Sequence, residues 1–260
     1  MAQRQRLIVG NWKMHKTTAE ARDFVQHLAG LVPKSPSAGV TIILAPPFTA
    51  LSAVADAIKD LSLELSAQDT HWDDHGAFTG EVSVPMLKDI GCRYVLVGHS
   101  ERRRLFGERD AMVNKKVIAA LRHGLRPILC VGETWEQRSS GQTKQVLTGQ
   151  LTDALSGVNK DRADDAVIAY EPVWAIGSGH PATVTETLDA HRHIRATVAT
   201  LWGQEAGERL PILYGGSVTP DNVGAFLAIH EVDGALIGGA CLDPVQFAKI
   251  LAVAQTNAYA

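Results

Sequence analysis

Glu171 heads an unusual stretch, YEPVWAIGSGH, which runs from Tyr170 to His180. Val167 to Ala169, just before it, read as the buried end of a strand. The carboxylate is followed by the stiff run Pro172, Val173 and Trp174, then by the small residues Ala175, Ile176, Gly177, Ser178 and Gly179. Other apolar runs end in a comparable way. Asn11-Trp12-Lys13 follows RLIVG, and His99-Ser100-Glu101-Arg102 follows YVLVG. Gly215-Gly216-Ser217 follows PILY, and Gly238-Gly239-Ala240 closes GALIG.

One carboxylate, one imidazole, one ammonium and two glycine turns narrow the chemistry. A carboxylate can take a proton from carbon only where the resulting enolate is stabilised. Histidine and lysine stabilise it by donating to its oxygens. Paired glycines often do no more than make a tight turn. After two consecutive final strands they suggest a phosphate cradle, because bare backbone lets several N–H groups approach an anion. Ser217 would add a hydroxyl donor and help to start a helix near Pro220. Lys13 alone is an ordinary surface lysine; at a strand's end it can offset a phosphate or a developing oxyanion. His99 alone is more often a hydrogen-bonded structural histidine. Here it precedes Ser-Glu-Arg, a helix start whose N-terminus disfavours a second positive charge. A neutral imidazole is therefore expected, with its pKa held below the ordinary ~6.5 by that helix and by Lys13. The run Arg102, Arg103, Arg104 reads as a solvated or salt-bridged turn without chemistry. His71, His75, His191 and His193 have no metal-ligand spacing, and no nicotinamide or flavin signature is present, so no metal or cofactor is expected. The combination points to proton abstraction next to a carbonyl on a phosphorylated sugar.

These groups need a scaffold that gathers them. Short apolar runs recur along the chain: RLIVG, VTIILA, LELSAQ, YVLVG, PILCV, AVIAY, PILY and GALIG. Between them lie segments of helical period such as TAEARDFVQHLAGL, AMVNKKVIAALRHG, KQVLTGQLTDALSG and TETLDAHRHIRATVATLW. Strands that are apolar throughout and alternate with helices predict a parallel sheet buried on both faces. About eight such units in ~250 residues is the size of a closed (β/α)8 TIM barrel, in which residues after the strands converge on one face. The rival, a doubly wound open sheet, usually has fewer strands, and no GxGxxG follows the first one. No linker or composition break divides residues 1–260, so a single domain is expected.

The 260 residues are 45% hydrophobic and 20% charged, an ordinary globular balance. A formal net charge of -3 leaves no broad cationic surface for nucleic acid or anionic lipid. The start, MAQRQRLIVGNWKM, enters a first strand directly and does not read as a signal peptide. No apolar run is long enough to span a bilayer. Three cysteines without a CxxC pair suit buried thiols in a reducing compartment. Two rival functions stay open on residues alone. One is another phosphate-binding barrel sugar-phosphate isomerase, which should lack the set Lys13, His99 and Glu171. The other is a catalytically silent barrel used as a binding or scaffold protein, against which the intact polar positions argue.

NWKM at 11–14, VGHSERR at 97–103, CVGE at 130–133, AYEPVWAIGSG at 169–179, YGGSV at 214–218 and IGGA at 237–240 together resemble the triosephosphate isomerase family, nearly end to end and in the family's order. The resemblance implies a cytoplasmic, cofactor-free enzyme of glycolysis and gluconeogenesis. It would interconvert D-glyceraldehyde 3-phosphate and dihydroxyacetone phosphate through an enediolate. By resemblance, Glu171 matches the base that shuttles the proton and His99 the neutral electrophile. Lys13 matches the cation beside the enediolate, and Asn11 its neighbour in orienting the substrate. Gly177, Ser217, Gly238 and Gly239 match the phosphate cradle, and Pro172 to Gly179 the hinge and lid over it. Glu133 resembles the partner of Trp174. The segment 71–83 is similar to the loop by which each subunit of a homodimer enters the other, with Thr79 near the partner's Asn11. Four positions depart from the pattern: Ser178 for a common threonine, His180-Pro181-Ala182 at the far hinge, Asp69 for a common asparagine, and Cys241 for the usual serine. Pro181 would restrict the hinge.

Overall fold

The apolar runs become eight strands in a computed structural model that describes residues 4–33, 39–176 and 181–256. They are β1 (Arg6–Asn11), β2 (Val40–Ala45), β3 (Leu63–Ala67), β4 (Tyr94–Val97), β5 (Arg126–Val131), β6 (Val167–Tyr170), β7 (Ile212–Tyr214) and β8 (Gly234–Ile237). Each pairs in parallel with the next, and β8 pairs with β1 from Leu7 opposite Gly234 to Gly10 opposite Ile237. The result is the closed (β/α)8 barrel expected from the sequence.

Side chains alternate across each strand, and in a barrel both faces are buried. One set points inward and fills the barrel: Leu7 and Val9, Tyr94 and Leu96, Ile128 and Cys130, Val167 and Ala169, with Ile43, Ala45, Leu213 and Leu236. The intervening residues, among them Ile8, Ile42, Leu44, Val95, Val97, Leu129 and Ile168, pack outward against the helices. Each fully buried Val, Leu or Ile contributes about 1.5–3 kcal/mol of transfer free energy. Uninterrupted apolar strands are what this double burial requires.

The helices are α1 (Thr18–Leu31), α2 (Leu51–Ala57), α3 (Val84–Ile90), α4 (Ser100–Phe106), α5 (Asp110–Arg122), α6 (Trp135–Ser139), α7 (Thr143–Ala154), α8 (Val184–Trp202), α9 (Gln204–Arg209), α10 (Val223–Leu227) and α11 (Pro244–Thr256). Capping boxes fix the starts of three of them: Thr17 with Glu20, Thr134 with Gln137, and Thr183 with Glu186. Cys92, Cys130 and Cys241 are all free and buried. Burial pushes the Cys92 and Cys241 thiols up to about 12 and Cys130 well above its ordinary value, so all three stay protonated. No helix among the described residues is long and apolar enough to cross a membrane.

Candidate active site

The alternation that fills the barrel also aims its last residues. Leu7 and Val9 face inward, so Asn11 does too; Val167 and Ala169 do the same for Glu171. Both end in a cavity of about 320 Å3 at the C-terminal end of the barrel. Lys13, His99, Ile176, Ser217, Gly238 and Gly239 also line it. Every described residue singled out from the sequence for catalysis or phosphate binding is therefore in one place. Gly177, Ser178 and Gly179 lie outside the described residues. A wider groove of about 960 Å3 runs between α2 and α3 over the starts of β2 and β3. It lies at the opposite end of the barrel and holds none of these groups.

Glu171 is buried, and both of its oxygens are engaged. Oε1 is 2.9 Å from His99 Nε2, and Oε2 accepts the Ser100 N–H at 2.9 Å. On the other edge of the imidazole, Nδ1 accepts the Glu101 N–H at 3.3 Å, so His99 itself caps α4. A ring nitrogen that accepts has a lone pair, which fits a neutral imidazole donating from Nε2. The pKa expected below the ordinary value is nevertheless not what this arrangement gives. Burial and Lys13 lower it, but Glu171, with Glu101 behind it, outweighs them and raises it. Glu171 mirrors this: burial works to raise its pKa, and His99, the Ser100 N–H and Lys13 together hold it below the usual carboxylate value. The helix start and the lysine are visible in the sequence, but the carboxylate resting on Nε2 is not. Behind the site, a Cβ on Gly132 would fall 1.7 Å from the Glu171 carbonyl oxygen, so only glycine lets β5 pass so close to the base.

Lys13 is held on three sides. Its Nζ pairs with Glu101 Oε1 at 2.6 Å, its N–H donates to Asn11 Oδ1 at 3.0 Å, and its carbonyl accepts from Gln68 Nε2 at 2.9 Å. Its φ is 52°, in the left-handed region, which costs a residue with a side chain roughly 1–2 kcal/mol. The glycine turns differ from one another. A Cβ on Gly216 would lie 2.2 Å from the Tyr214 hydroxyl, so packing alone demands that glycine. A Cβ on Gly239 would meet no protein atom within 4 Å. Ser217 does not start a helix as expected, because α10 begins only at Val223. Asn222 spans the gap instead, accepting the Thr219 N–H at 2.8 Å and donating to the Ser217 carbonyl at 3.0 Å. Cys241 is buried with Sγ 3.4 Å from the Asn11 carbonyl oxygen, behind the site.

The segment after Glu171 is anchored at both described ends. The indole N–H of Trp174 donates to Glu133 Oε1 at 3.0 Å, the partnership expected from the sequence. Glu133 also accepts from the Tyr170 hydroxyl at 3.1 Å. Beyond the segment, the Ala182 N–H donates to the Tyr214 hydroxyl at 3.2 Å, one residue before the Thr183 cap of α8.

Thr79 lies exposed in the 71–83 loop, which His71 stiffens by stacking on Trp72 and packing against Phe78 at centroid distances of 4.3 and 4.1 Å. Asp69, just before it, is buried. It bonds Lys116 Nζ at 2.6 Å and Arg102 at 2.9 Å, and Lys116 also holds Glu108. Burial raises the Asp69 pKa against the pull of Lys116 and Arg102, with Glu108 adding to the rise. Arg102 is thus a partner in a mostly buried ion cluster, Arg103 pairs with Asp110 at 2.5 Å, and Arg104 is exposed.

Ser100, Glu101 and Gln68 act on the site without having been singled out from the sequence. For Ser100 and Glu101 the available signal was their place in the first turn of the helix that His99 caps.

A family model described as triosephosphate isomerase matches residues 6–254. The chain is similar to the triosephosphate isomerase of Geotalea uraniireducens (strain Rf4), 50% identical over 248 residues, or 95% of this chain and 98% of that one. It is 52% identical to the triosephosphate isomerase of Chloroflexus aurantiacus over 246 residues, or 94% and 97% of the two chains. The corresponding figures for that of Moorella thermoacetica are 49% over 248 residues, 95% and 98%.

Proposed function

The chain belongs to the triosephosphate isomerase family, and from that premise we propose that Glu171, His99, Lys13 and Asn11 carry its reaction. The enzyme interconverts D-glyceraldehyde 3-phosphate and dihydroxyacetone phosphate. The observation that carries the assignment of residues is the contact of Glu171 with His99 at 2.9 Å in a cavity that Lys13 and the last glycine turn also line.

Glu171 removes a proton from the carbon next to the carbonyl and returns it to the neighbouring carbon. His99 Nε2–H and Lys13 Nζ donate to the two oxygens of the enediolate, where negative charge develops. Asn11 supports this twice, by lining the cavity and by holding the backbone of Lys13. Glu171 now occupies the Nε2–H that the substrate oxygen needs, so the carboxylate turns from the imidazole to the carbon when it acts. Gly238 and Gly239, with Ser217 and by resemblance Gly177, cradle the phosphate. The open space beside Gly239 suits a glycine kept for close approach to an anion rather than for packing. By resemblance, Pro172 to Gly179 are the lid that shields the enediolate from water.

We further read the chain as one domain over residues 1–260, acting in the cytoplasm as a homodimer in which Thr79 enters the partner. The exposed, internally stacked 71–83 loop supports that assembly.

A coupled assay with glyceraldehyde 3-phosphate tests the assignment. Glu171→Gln should lower kcat by about 10²–10⁴-fold, the usual worth of a positioned base, while a phosphate-bearing inhibitor still binds. A variant that keeps its kcat would remove Glu171 from the role of base.

A further inference from the structure

Gln150, on α7, grips the peptide that lies against the base. Its Oε1 accepts the Gly132 N–H at 2.8 Å, and its Nε2 donates to the Gly132 carbonyl at 3.1 Å. Gly132 is the first residue past β5, whose register with β6 ends at Val131 opposite Tyr170. The amide thus gives it the two bonds that a neighbouring strand would have given. The residues on either side of Gly132 hold the main chain of the base. The Glu171 N–H donates to the Val131 carbonyl at 2.8 Å, and the Val173 N–H donates to the Glu133 carbonyl at 3.1 Å. Between these bonds Gly132 lies so close to the Glu171 carbonyl that a Cβ would fall 1.7 Å from its oxygen.

Core packing does not account for this grip. A cavity of about 290 Å3 lies behind the base, and Gly132, Gln150, Cys130, Arg103 and Glu171 all line it. On that side the Gln150 amide, rather than a wall of packed side chains, holds Gly132 against Glu171. Glutamine suits the position because its amide sets a donor and an acceptor side by side at that reach. An ionised glutamate could only accept, and leucine could do neither. We propose that Gln150 is a positioning residue for the reaction, fixing the Gly132 peptide and through it the main chain from which the Glu171 carboxylate reaches the substrate. The inference rests on the reading that Glu171 is the base.

The need for a fixed backbone is geometric. The carboxylate turns from His99 Nε2 to one carbon and then serves the next, with its own main chain as the pivot. A displacement of about 1 Å in a reacting group can cost about 100-fold in rate. A shift of the Glu171 main chain passes directly to the carboxylate. Ser217, Gly238 and Gly239, which follow β7 and β8, have no part in the bonds made by Gln150. Loss of the amide is therefore felt in kcat and not in phosphate binding.

The test compares wild type, Gln150→Leu, Gln150→Glu, Leu151→Ala, Glu171→Asp and the double variant Gln150→Leu/Glu171→Asp in the coupled assay, with folding checked by circular dichroism. Gln150→Leu should lower kcat about tenfold, part of what a misplaced reacting group costs, and leave KM within about twofold. Gln150→Glu keeps the acceptor and should fall between that variant and wild type; it carries the comparison if Gln150→Leu does not fold. Leu151→Ala removes a buried side chain from the same helix and should lower stability without lowering kcat. In the Glu171→Asp background, where the carboxylate is already drawn back, Gln150→Leu should cost about threefold or less. Gln150 only secures α7, and the proposal is wrong while Glu171 remains the base, on any of three results: Glu171→Asp loses kcat but the Gln150 variants do not, Leu151→Ala loses as much kcat as Gln150→Leu, or the two effects multiply fully in the double variant. If Glu171→Asp keeps its kcat, the role of Glu171 as base fails and takes the proposal with it.

Discussion

His191 should make the protein lose stability in mild acid by an amount the structure sets. It lies on α8, fully buried, with its ring edge-on to Tyr170 at 5.9 Å. Nδ1 is 3.1 Å from the Glu231 carbonyl oxygen and Nε2 has no hydrogen-bond partner among the described residues. A neutral ring donating from Nδ1 fits this place. A second proton on Nε2 would put an unpaired charge in the core. Burial, helped by Arg195 and opposed by the Glu231 carbonyl and carboxylate, lowers the pKa from 6.5 to about 4. Between those values the unfolded chain binds the proton and the folded chain does not, so stability falls as the pH drops. A gap of about 2.5 units, at ~1.4 kcal/mol each, amounts to about 3 kcal/mol by pH 4. That is roughly 6–12 °C in Tm for a chain of this size. Carboxylates held low in the folded state, Glu171 among them, also lose stability in acid, so the raw curve mixes several groups. His191→Asn isolates one of them. The amide can still donate to the Glu231 carbonyl but does not titrate. Guanidinium unfolding of both proteins at fixed protein concentration, from pH 7.5 to 4.5, gives the difference. The variant should start less stable, and the gap should narrow as pH falls below about 6.5. Parallel curves across that range would refute the buried neutral histidine.

Three further outcomes are expected. In Glu171→Gln the charge that raises the His99 pKa is gone, so nitrogen NMR should place that pKa below its wild-type value; an unchanged value would mean that the carboxylate contact does not set it. Lys13→Met should raise KM and lower kcat together, costing several kcal/mol in kcat/KM, because the ammonium serves both phosphate and enediolate. A change in KM alone would make Lys13 a binding group only. Thr79→Arg should shift sedimentation toward monomer and reduce activity, whereas a fully active monomer would contradict a shared site.

The strands were legible because barrel burial leaves a simple mark: both faces are mostly apolar, so most runs are nearly continuous, and the observed strands fall on the expected runs within a residue or two. The gathering of Asn11, Lys13, His99 and Glu171 was legible for the same reason, since closure turns positions after strands into neighbours. What the sequence hid was which of these groups touch. A run of letters shows a helix start beside His99 but not that Glu171 lies on Nε2, and so the direction of the imidazole's shift came out opposite. Asp69 stands out in the sequence only as a departure from a common asparagine; that Lys116, 47 residues away, meets it in a buried cluster does not show there. Ser217 with Pro220 looks like a helix start, yet Asn222 takes the local donors and delays the helix to Val223.

The left-handed backbone of Lys13 sets two kinds of fitness against each other. Glycine at that position would relieve the roughly 1–2 kcal/mol of conformational cost and remove the ammonium with it. A population of variants selected only for surviving heat would be drawn toward that glycine, and one selected only for turnover would be held away from it. Heat tolerance gained elsewhere, in the helices or on the surface, carries no such conflict. Durable variants that still work should therefore keep this one awkward lysine and accumulate their changes around it.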